Sequence, residues 1–346
     1  MNYKEEKAQS ARNNLKKLLS TFPEYCKDYF QYCDGTLNRS ALTMLGYAYN
    51  LNTFFQYLVN ANPGISSIKS ITFDILNNIT PRDIQEYLFY LKGYQDACGK
   101  YVSNDASARS RQLSTLRSFY QYYYTFGGVN VNPAKLVETP RIHHKRKAKL
   151  DNDEVASLVE GTLTGEALDD KKKKYAEHTK YRDMAIVTLL LGTGIRVSEL
   201  VGIDLEDIDW KNKGIKVIRK GGNEDVVYFG QSVEDAIRDY IQLERCSFDD
   251  EIRALFIGSR SSKERLSARS VERIVKKYAA GTVPSKKITP HSLRRTYGSF
   301  LYNETGDIYV TADALGHANI EVTAKYYSEI SDSRKKEIKG ISDKLL

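Results

Sequence analysis

Arginines and a histidine that could grip a phosphate are spaced through the C-terminal half of the chain. Arg196 follows the pair Thr193-Gly194, and Arg294 lies three residues after His291. A guanidinium binds phosphate oxygens as a rigid fork, and it stabilises the added negative charge of a pentacoordinate transition state better than an ammonium does. We therefore expect Arg196 and Arg294 to hold a phosphodiester.

The same half of the chain contains residues that can move protons and one that can attack phosphorus. His291, His317 and Lys220 can donate hydrogen bonds to a phosphate or transfer protons at the attacking and leaving oxygens. A tyrosine phenol is a weak nucleophile at neutral pH, but a cationic pocket favours its phenolate, which can form a phosphotyrosine. Tyr326 is the predicted nucleophile.

In their order and spacing these motifs resemble the tyrosine recombinase (phage integrase) family. They are Thr193-Gly194-Ile195-Arg196, a hairpin lysine at Lys220, His291-Ser292-Leu293-Arg294, Leu315-Gly316-His317, and Tyr326 nine positions after His317. Each motif alone recurs by chance in unrelated proteins, so the resemblance depends on all of them together. It covers the catalytic half of the chain and, more weakly, the helical segment before it.

The resemblance implies a site-specific DNA recombinase that needs no cofactor and no metal. Tyr326 would attack the scissile phosphate to give a 3′-phosphotyrosine and a free 5′-hydroxyl, with Lys220 as general acid. A 5′-hydroxyl of a partner strand would then reseal the bond, giving integration, excision or resolution. The residues that would hold and neutralise the phosphate are Arg196, His291, Arg294 and His317.

The resemblance also implies the partners. They are double-stranded DNA recombination sites, bound by a homotetramer that exchanges strands through a Holliday junction, and a second recombinase or an accessory protein could assist. The segment before residue 37 is short, which favours a simple Xer-like recombinase or a small mobile-element integrase.

Two assignments stay open. Tyr327 directly follows Tyr326, and only the spacing from His317 favours Tyr326. The family's hairpin lysine usually sits between two glycines, whereas Arg219 precedes Lys220 here. The register of the hairpin lysine is therefore open by one residue.

An acidic residue is predicted to support Arg196. Glu199 lies one helical turn further along the chain and could orient the guanidinium, although an ordinary surface ion pair is the simpler interpretation. The resemblance favours the supporting role, because the family usually carries an acidic residue at this position.

Composition and charge fit a two-domain protein with a polyanionic partner. The chain has 346 residues, 41% of them hydrophobic and 28% charged, and its net charge is +8. No apolar run approaches the ~20 residues of a membrane-spanning helix, and the N-terminus lacks the apolar core of a secretory signal. We therefore expect a cytoplasmic protein with no membrane partner. The four cysteines show neither zinc-site nor disulfide spacing.

Hydrophobic periodicity predicts a mainly α fold with a small β element. Residues 41–59, 81–91 and 107–124 repeat apolar positions every three or four residues without an intervening strand pattern, and residues 208–229 predict a β-hairpin with Lys220 at its tip. By resemblance, a helical, SAM-like core-binding domain precedes a tyrosine-recombinase catalytic domain of the DNA breaking-rejoining fold. The predicted bounds are an N-terminal extension at 1–36, the core-binding domain at 37–136, a linker at 137–150, the catalytic domain at 151–328, and a tail at 329–346 that docks on a neighbouring subunit or frays.

Further basic residues are predicted to contact the DNA backbone, three on one helix and four in the linker: Arg109, Arg111, Arg117, Arg141, Lys145, Arg146 and Lys147. For any single arginine a solvated surface position is the simpler interpretation, and the linker could be a plain flexible connector.

Two other functions fit part of the pattern. A type IB topoisomerase uses similar phosphotyrosine chemistry, but the separate helical domain and the tail favour recombination. A catalytically silent, sequence-specific DNA-binding protein has little support, because every expected catalytic residue type is present.

Overall fold

The computed structural model describes residues 3–96, 99–142, 148–166, 168–219, 221–247, 252–258 and 264–316. The chain forms two compact units, Met1–Lys145 and Arg146–Leu346. Both are built mainly from helices, which confirms the predicted fold class. Within the described ranges, no helix has the length and apolar character needed to cross a membrane.

Among its described residues, the first unit contains six α-helices and a minimal β-ribbon. The helices are α1 (Tyr3–Leu19), α2 (Cys26–Gly35), α3 (Ala41–Ala61), α4 (Phe73–Asn77), α5 (Pro81–Tyr90) and α6 (Ala106–Phe126). The three predicted helices correspond to α3, α5 and α6 and are confirmed, with ends shifted by one or two residues. The expectation that no strand lies between them was wrong, because β1 (Tyr94–Gln95) pairs with β2 (Tyr101–Val102). Two-residue strands are too short to show an alternating pattern.

Local capping and an aromatic core explain this unit. Thr80 accepts a hydrogen bond from the backbone N–H of Asp83, whose carboxylate accepts from the N–H of Thr80, so the start of α5 is capped in both directions. The rings of Tyr29, Phe55 and Phe119 are completely buried and pack edge to face. The helices therefore share one apolar core.

In the part of the second unit that the structure describes, there are eight α-helices and a three-stranded sheet. The helices are α7 (Asn152–Thr164), α8 (Asp170–Glu177), α9 (Lys180–Thr193), α10 (Val197–Leu200), α11 (Gln231–Asp239), α12 (Ala268–Thr282), α13 (Pro290–Thr305) and α14 (Ile308–Ala314). The antiparallel strands, in the order β3-β4-β5, are Ile208–Asp209, Gly214–Ile218 and Glu224–Tyr228. The predicted hairpin is therefore confirmed, although Lys220 lies outside the described residues.

Helix α9 is a largely buried helix that leads to the turn at Thr193-Gly194. The Asp183 carboxylate is completely buried and accepts hydrogen bonds from the Nζ of Lys277 at 2.7 Å and the hydroxyl of Tyr278 at 3.0 Å, both on α12. The neighbouring Arg182 guanidinium donates to the same carboxylate. This buried, paired network fixes α9 on α12, and α9 delivers Gly194 and Arg196 to the site described next.

Candidate active site

Arg196 and Glu199 form a paired unit at the start of α10. The Glu199 carboxylate accepts hydrogen bonds from the backbone N–H and from Nη1 of Arg196, each at 2.8 Å. The Glu199 side chain is 3% exposed, whereas that of Arg196 is 23% exposed. The acid therefore lies beneath a guanidinium that solvent can reach, and the carboxylate fixes both the backbone and the side chain of Arg196.

Arg294 reaches the same place from α13. That helix begins as the sequence predicts, because Thr289 caps it by accepting from the N–H of Ser292, and Pro290 occupies its first turn. Arg294 is buried, and its Nη1 donates to the carbonyl oxygen of Gly194 at 2.5 Å. Arg294 thereby bonds to the turn that delivers Arg196.

Three arginines meet at the C-terminal end of α14. The carbonyl oxygens of the consecutive residues 314–316 accept hydrogen bonds from Arg219, Arg294 and Arg196, respectively. The last carbonyls of a helix lack intrahelical donors and carry partial negative charge, so cationic donors stabilise them. The arginines come from the end of β4, from α13 and from the start of α10, and these three adjacent carbonyls fix them relative to one another.

The other predicted catalytic residues divide into two groups. His291 is exposed on the first turn of α13, one turn before the buried Arg294. Outside the described residues lie Lys220, His317 and Tyr326. The structure therefore brings together Arg196, Glu199 and Arg294, and the places of the remaining residues stay predictions.

Arg219 is a buried part of the site that the sequence prediction missed. Its Nη1 donates to Glu199 at 3.1 Å and its Nε donates to Asp225 at 2.8 Å. The one signal in the sequence is the departure from the family's glycine before the hairpin lysine, which by itself indicates only an uncertain register.

Gly194 lets the end of α9, helix α13 and the residue after α14 approach closely. Its φ of +62° is left-handed, and a Cβ there would lie 2.4 Å from Cδ1 of Tyr297 and 3.0 Å from Cδ2 of Leu315. Burial raises the pKa of the Tyr297 phenol, so this tyrosine stays protonated at neutral pH. The close contact of its ring with Gly194 makes Tyr297 a packing residue of this turn.

Two of the predicted DNA-contacting arginines are at the surface and two have partners within the first unit. Arg111 and Arg141 are exposed. The half-buried Arg109 donates from Nη1 to the carbonyl oxygen of Asn104 at 2.9 Å. Outside the described residues lie Lys145, Arg146 and Lys147.

Arg117 is the fourth of these arginines, and it holds the chain that follows α6. Its guanidinium donates to the carbonyl oxygens of Ala134 at 3.1 Å and Val137 at 2.5 Å, and to Oγ1 of Thr139 at 2.9 Å. Three internal acceptors favour a structural role for Arg117 over a contact with DNA.

The mainly helical architecture and the arginines that converge on one turn fit an enzyme that binds DNA phosphates, and sequence comparison identifies the family. The chain belongs to the phage integrase family: a model of this family matches residues 150–334, and a model of the phage integrase N-terminal SAM-like domain matches residues 26–125. It is a tyrosine recombinase of the Xer type, an enzyme of site-specific DNA recombination.

Individual relatives agree with this assignment. The chain is 39% identical over 224 residues to the tyrosine recombinase XerC of Thermodesulfovibrio yellowstonii, covering 63% of this chain and 69% of the relative. It is 29% identical over 349 residues to the tyrosine recombinase XerS of Streptococcus gordonii, covering 93% and 96%. Its fold is similar to that of the Tn1549 transposon integrase, solved with circular intermediate DNA, with a TM-score of 0.64, 21% identity, and coverage of 90% and 98%. These findings favour recombination over the topoisomerase alternative.

Proposed function

We propose that this recombinase cleaves DNA through a 3′-phosphotyrosine on Tyr326, with Arg196 and Arg294 holding the scissile phosphate. The observation that carries the proposal is the convergence of these two arginines on the turn at residues 314–316. Among the described residues, the contacts of Arg196 with Glu199 and Gly316 use two of its five N–H donors. Its partly exposed guanidinium can therefore also bind phosphate oxygens.

The chemical step places each group in a role. The phenolate oxygen of Tyr326 attacks phosphorus, the bond from phosphorus to the 5′ oxygen breaks, and Lys220 gives its proton to that oxygen. His291 and His317 donate hydrogen bonds to the non-bridging oxygens as negative charge grows on them. Rejoining reverses the step with the 5′-hydroxyl of the partner strand, so no ATP is consumed.

The partner and the assembly follow from the same proposal. The substrate is a pair of double-stranded recombination sites, and the solved complex of the Tn1549 integrase with DNA supports it. A homotetramer would synapse two duplexes and pass through a Holliday junction, in the cytoplasm. The exposed Arg111 and Arg141 would contact phosphates, and the segment 329–346 would dock on a neighbouring subunit.

The products formed on plasmids that carry two copies of a binding site test this function. Such a site can first be selected from random duplexes by binding. We expect deletion or inversion products with an exact crossover inside the site, and none with Arg196→Ala. Relaxed topoisomers without exchange of flanking DNA would support the topoisomerase instead, and binding without any strand breakage would support the silent DNA-binding protein.

A further inference from the structure

Arg219 links the β-hairpin to the proposed phosphate-binding arginine through an unbroken series of ion pairs. Arg196 pairs with Glu199 at 2.8 Å, Glu199 pairs with Arg219 at 3.1 Å, and Arg219 pairs with Asp225 at 2.8 Å. Glu199 and Arg219 are the buried members, with side chains that are 3% and 9% exposed, whereas Asp225 is 45% exposed. The series begins at the site and ends at the surface of the hairpin.

The charges in this series favour phosphate binding. Glu199 alone would neutralise Arg196, which would weaken the attraction between Arg196 and a phosphate. Arg219 places a second positive charge on the opposite oxygen of the same buried carboxylate. The counterion of Arg219, Asp225, is partly exposed, so solvent screens its charge more strongly than that of Glu199.

Arg219 also packs against the turn at the end of α14. Gly316 has a φ of +58°, and a Cβ there would lie 2.6 Å from Nε and 2.7 Å from Cζ of Arg219. Nη2 of Arg219 reaches the carbonyl oxygen of Ala314 at 3.5 Å. The guanidinium therefore lies directly on the residue that precedes His317 in the sequence, while its own backbone precedes Lys220.

We propose that Arg219 is a positioning residue of strand cleavage, which fixes Arg196 through Glu199 and holds the β4–β5 hairpin against the end of α14. This role deepens the proposed function and rests on it. A lysine could not replace Arg219 fully, because a single ammonium cannot reproduce the fork that bridges the carboxylates of Glu199 and Asp225.

Single-turnover cleavage of a suicide duplex, with enzyme in excess, tests this role. The measured quantities are the first-order rate constant at saturating enzyme and the Kd for the uncleaved duplex. We expect Arg219→Met to lower the rate constant roughly 10- to 100-fold, the scale of a small misplacement of catalytic groups, while the Kd changes less than about threefold. Arg219→Lys should recover part of the rate.

Lys216→Met is the matched control. Lys216 lies on β4, three residues before Arg219, and pairs with Glu224 at 3.0 Å across the hairpin, but both side chains are exposed. We expect this variant to cleave at the wild-type rate. If Arg219→Met and Arg219→Lys both cleave at that rate too, or if Arg219→Met weakens only the Kd, the positioning role is overturned.

A double-mutant cycle with Glu199→Gln shows whether Arg219 acts through Glu199. If it does, the double variant Arg219→Met/Glu199→Gln is no more than about threefold slower than the slower single variant. If the double variant is slowed by the product of the two single-variant factors, Arg219 does not act through Glu199. If Arg219→Met does not fold, the same cycle is run with Arg219→Lys.

Failure of this inference can be told apart from failure of the proposed function. If wild type forms no covalent adduct on a verified binding site, the proposed function fails. If wild type forms the adduct and the Arg219 variants form it equally fast, only the role of Arg219 fails.

Discussion

At the residue scale, Gly194 occupies a tightly constrained position beside the arginine cluster. Its left-handed backbone and its contacts with Tyr297 and Leu315 leave no room for a side chain, and its carbonyl oxygen accepts from Arg294. Gly194→Ala should lower the free energy of unfolding of the second unit by about 2–4 kcal/mol, combining the cost of left-handed alanine with overpacking. Cleavage should slow as well, because the acceptor of Arg294 moves.

Fluorescence of Trp210, the one tryptophan of the chain, reports urea unfolding of that unit. Gly230→Ala is the control, since Gly230 has a negative φ and a Cβ there meets no atom within 4 Å. If Gly194→Ala costs no more than Gly230→Ala, the close packing inferred at this turn is wrong.

At the element scale, the buried Asp183 joins α9 to α12, and the position of Arg196 depends on α9. Asp183→Asn keeps the shape of the side chain but removes the charge that compensates Arg182 and Lys277. Because these cations would remain largely buried, we expect a loss of about 3–5 kcal/mol in the free energy of unfolding. The same Trp210 measurement checks this value.

Asp235→Asn makes the same chemical change at an exposed position of α11, where the carboxylate accepts only from Gln231 among the described contacts. It should stay within about 0.5 kcal/mol of wild type. Equal effects of the two substitutions would show that the α9–α12 network does not stabilise the unit.

At the scale of the whole molecule, two arginines of α6 have different predicted roles: Arg111 contacts DNA, and Arg117 stabilises the first unit. Arg111→Gln should reduce the slope of log Kd against log salt by about 0.9, the contribution of one phosphate contact. Arg117→Gln should leave the slope unchanged and lower the Tm of the first unit, because three internal acceptors lose their donor. Anisotropy of a labelled duplex between low and high salt measures the slopes. If Arg117→Gln lowers the slope and Arg111→Gln leaves it unchanged, Arg117 is the DNA contact and the assignment of both residues is wrong.

The sequence predicted elements whose signals are local. Thr289 and Pro290 mark the start of α13, and alternating residues mark the hairpin. It missed the ribbon of β1 and β2 because two residues cannot show a period. It also missed the contacts of Arg219, because Glu199 and Ala314 lie 20 and 95 residues away in the chain and only the fold brings them to one guanidinium.

Part of the predicted site depends on the resemblance to the family rather than on geometry. The fold shows how Arg196 and Arg294 come to lie close together, since both bond to the turn at residues 314–316. The choice of Tyr326 over Tyr327 comes only from its spacing to His317, and these residues lie outside the described ranges. The nucleophile is therefore the assignment that most needs a direct experiment.

The most direct test of the account is to trap the covalent protein–DNA adduct on a nicked suicide duplex that carries a selected site. Wild type, Tyr326→Phe and Tyr327→Phe would be compared, and the linked residue would be mapped by mass spectrometry. We predict an adduct with wild type and with Tyr327→Phe, linked at Tyr326, and none with Tyr326→Phe. An adduct that survives Tyr326→Phe would contradict the proposed nucleophile and the register on which it depends.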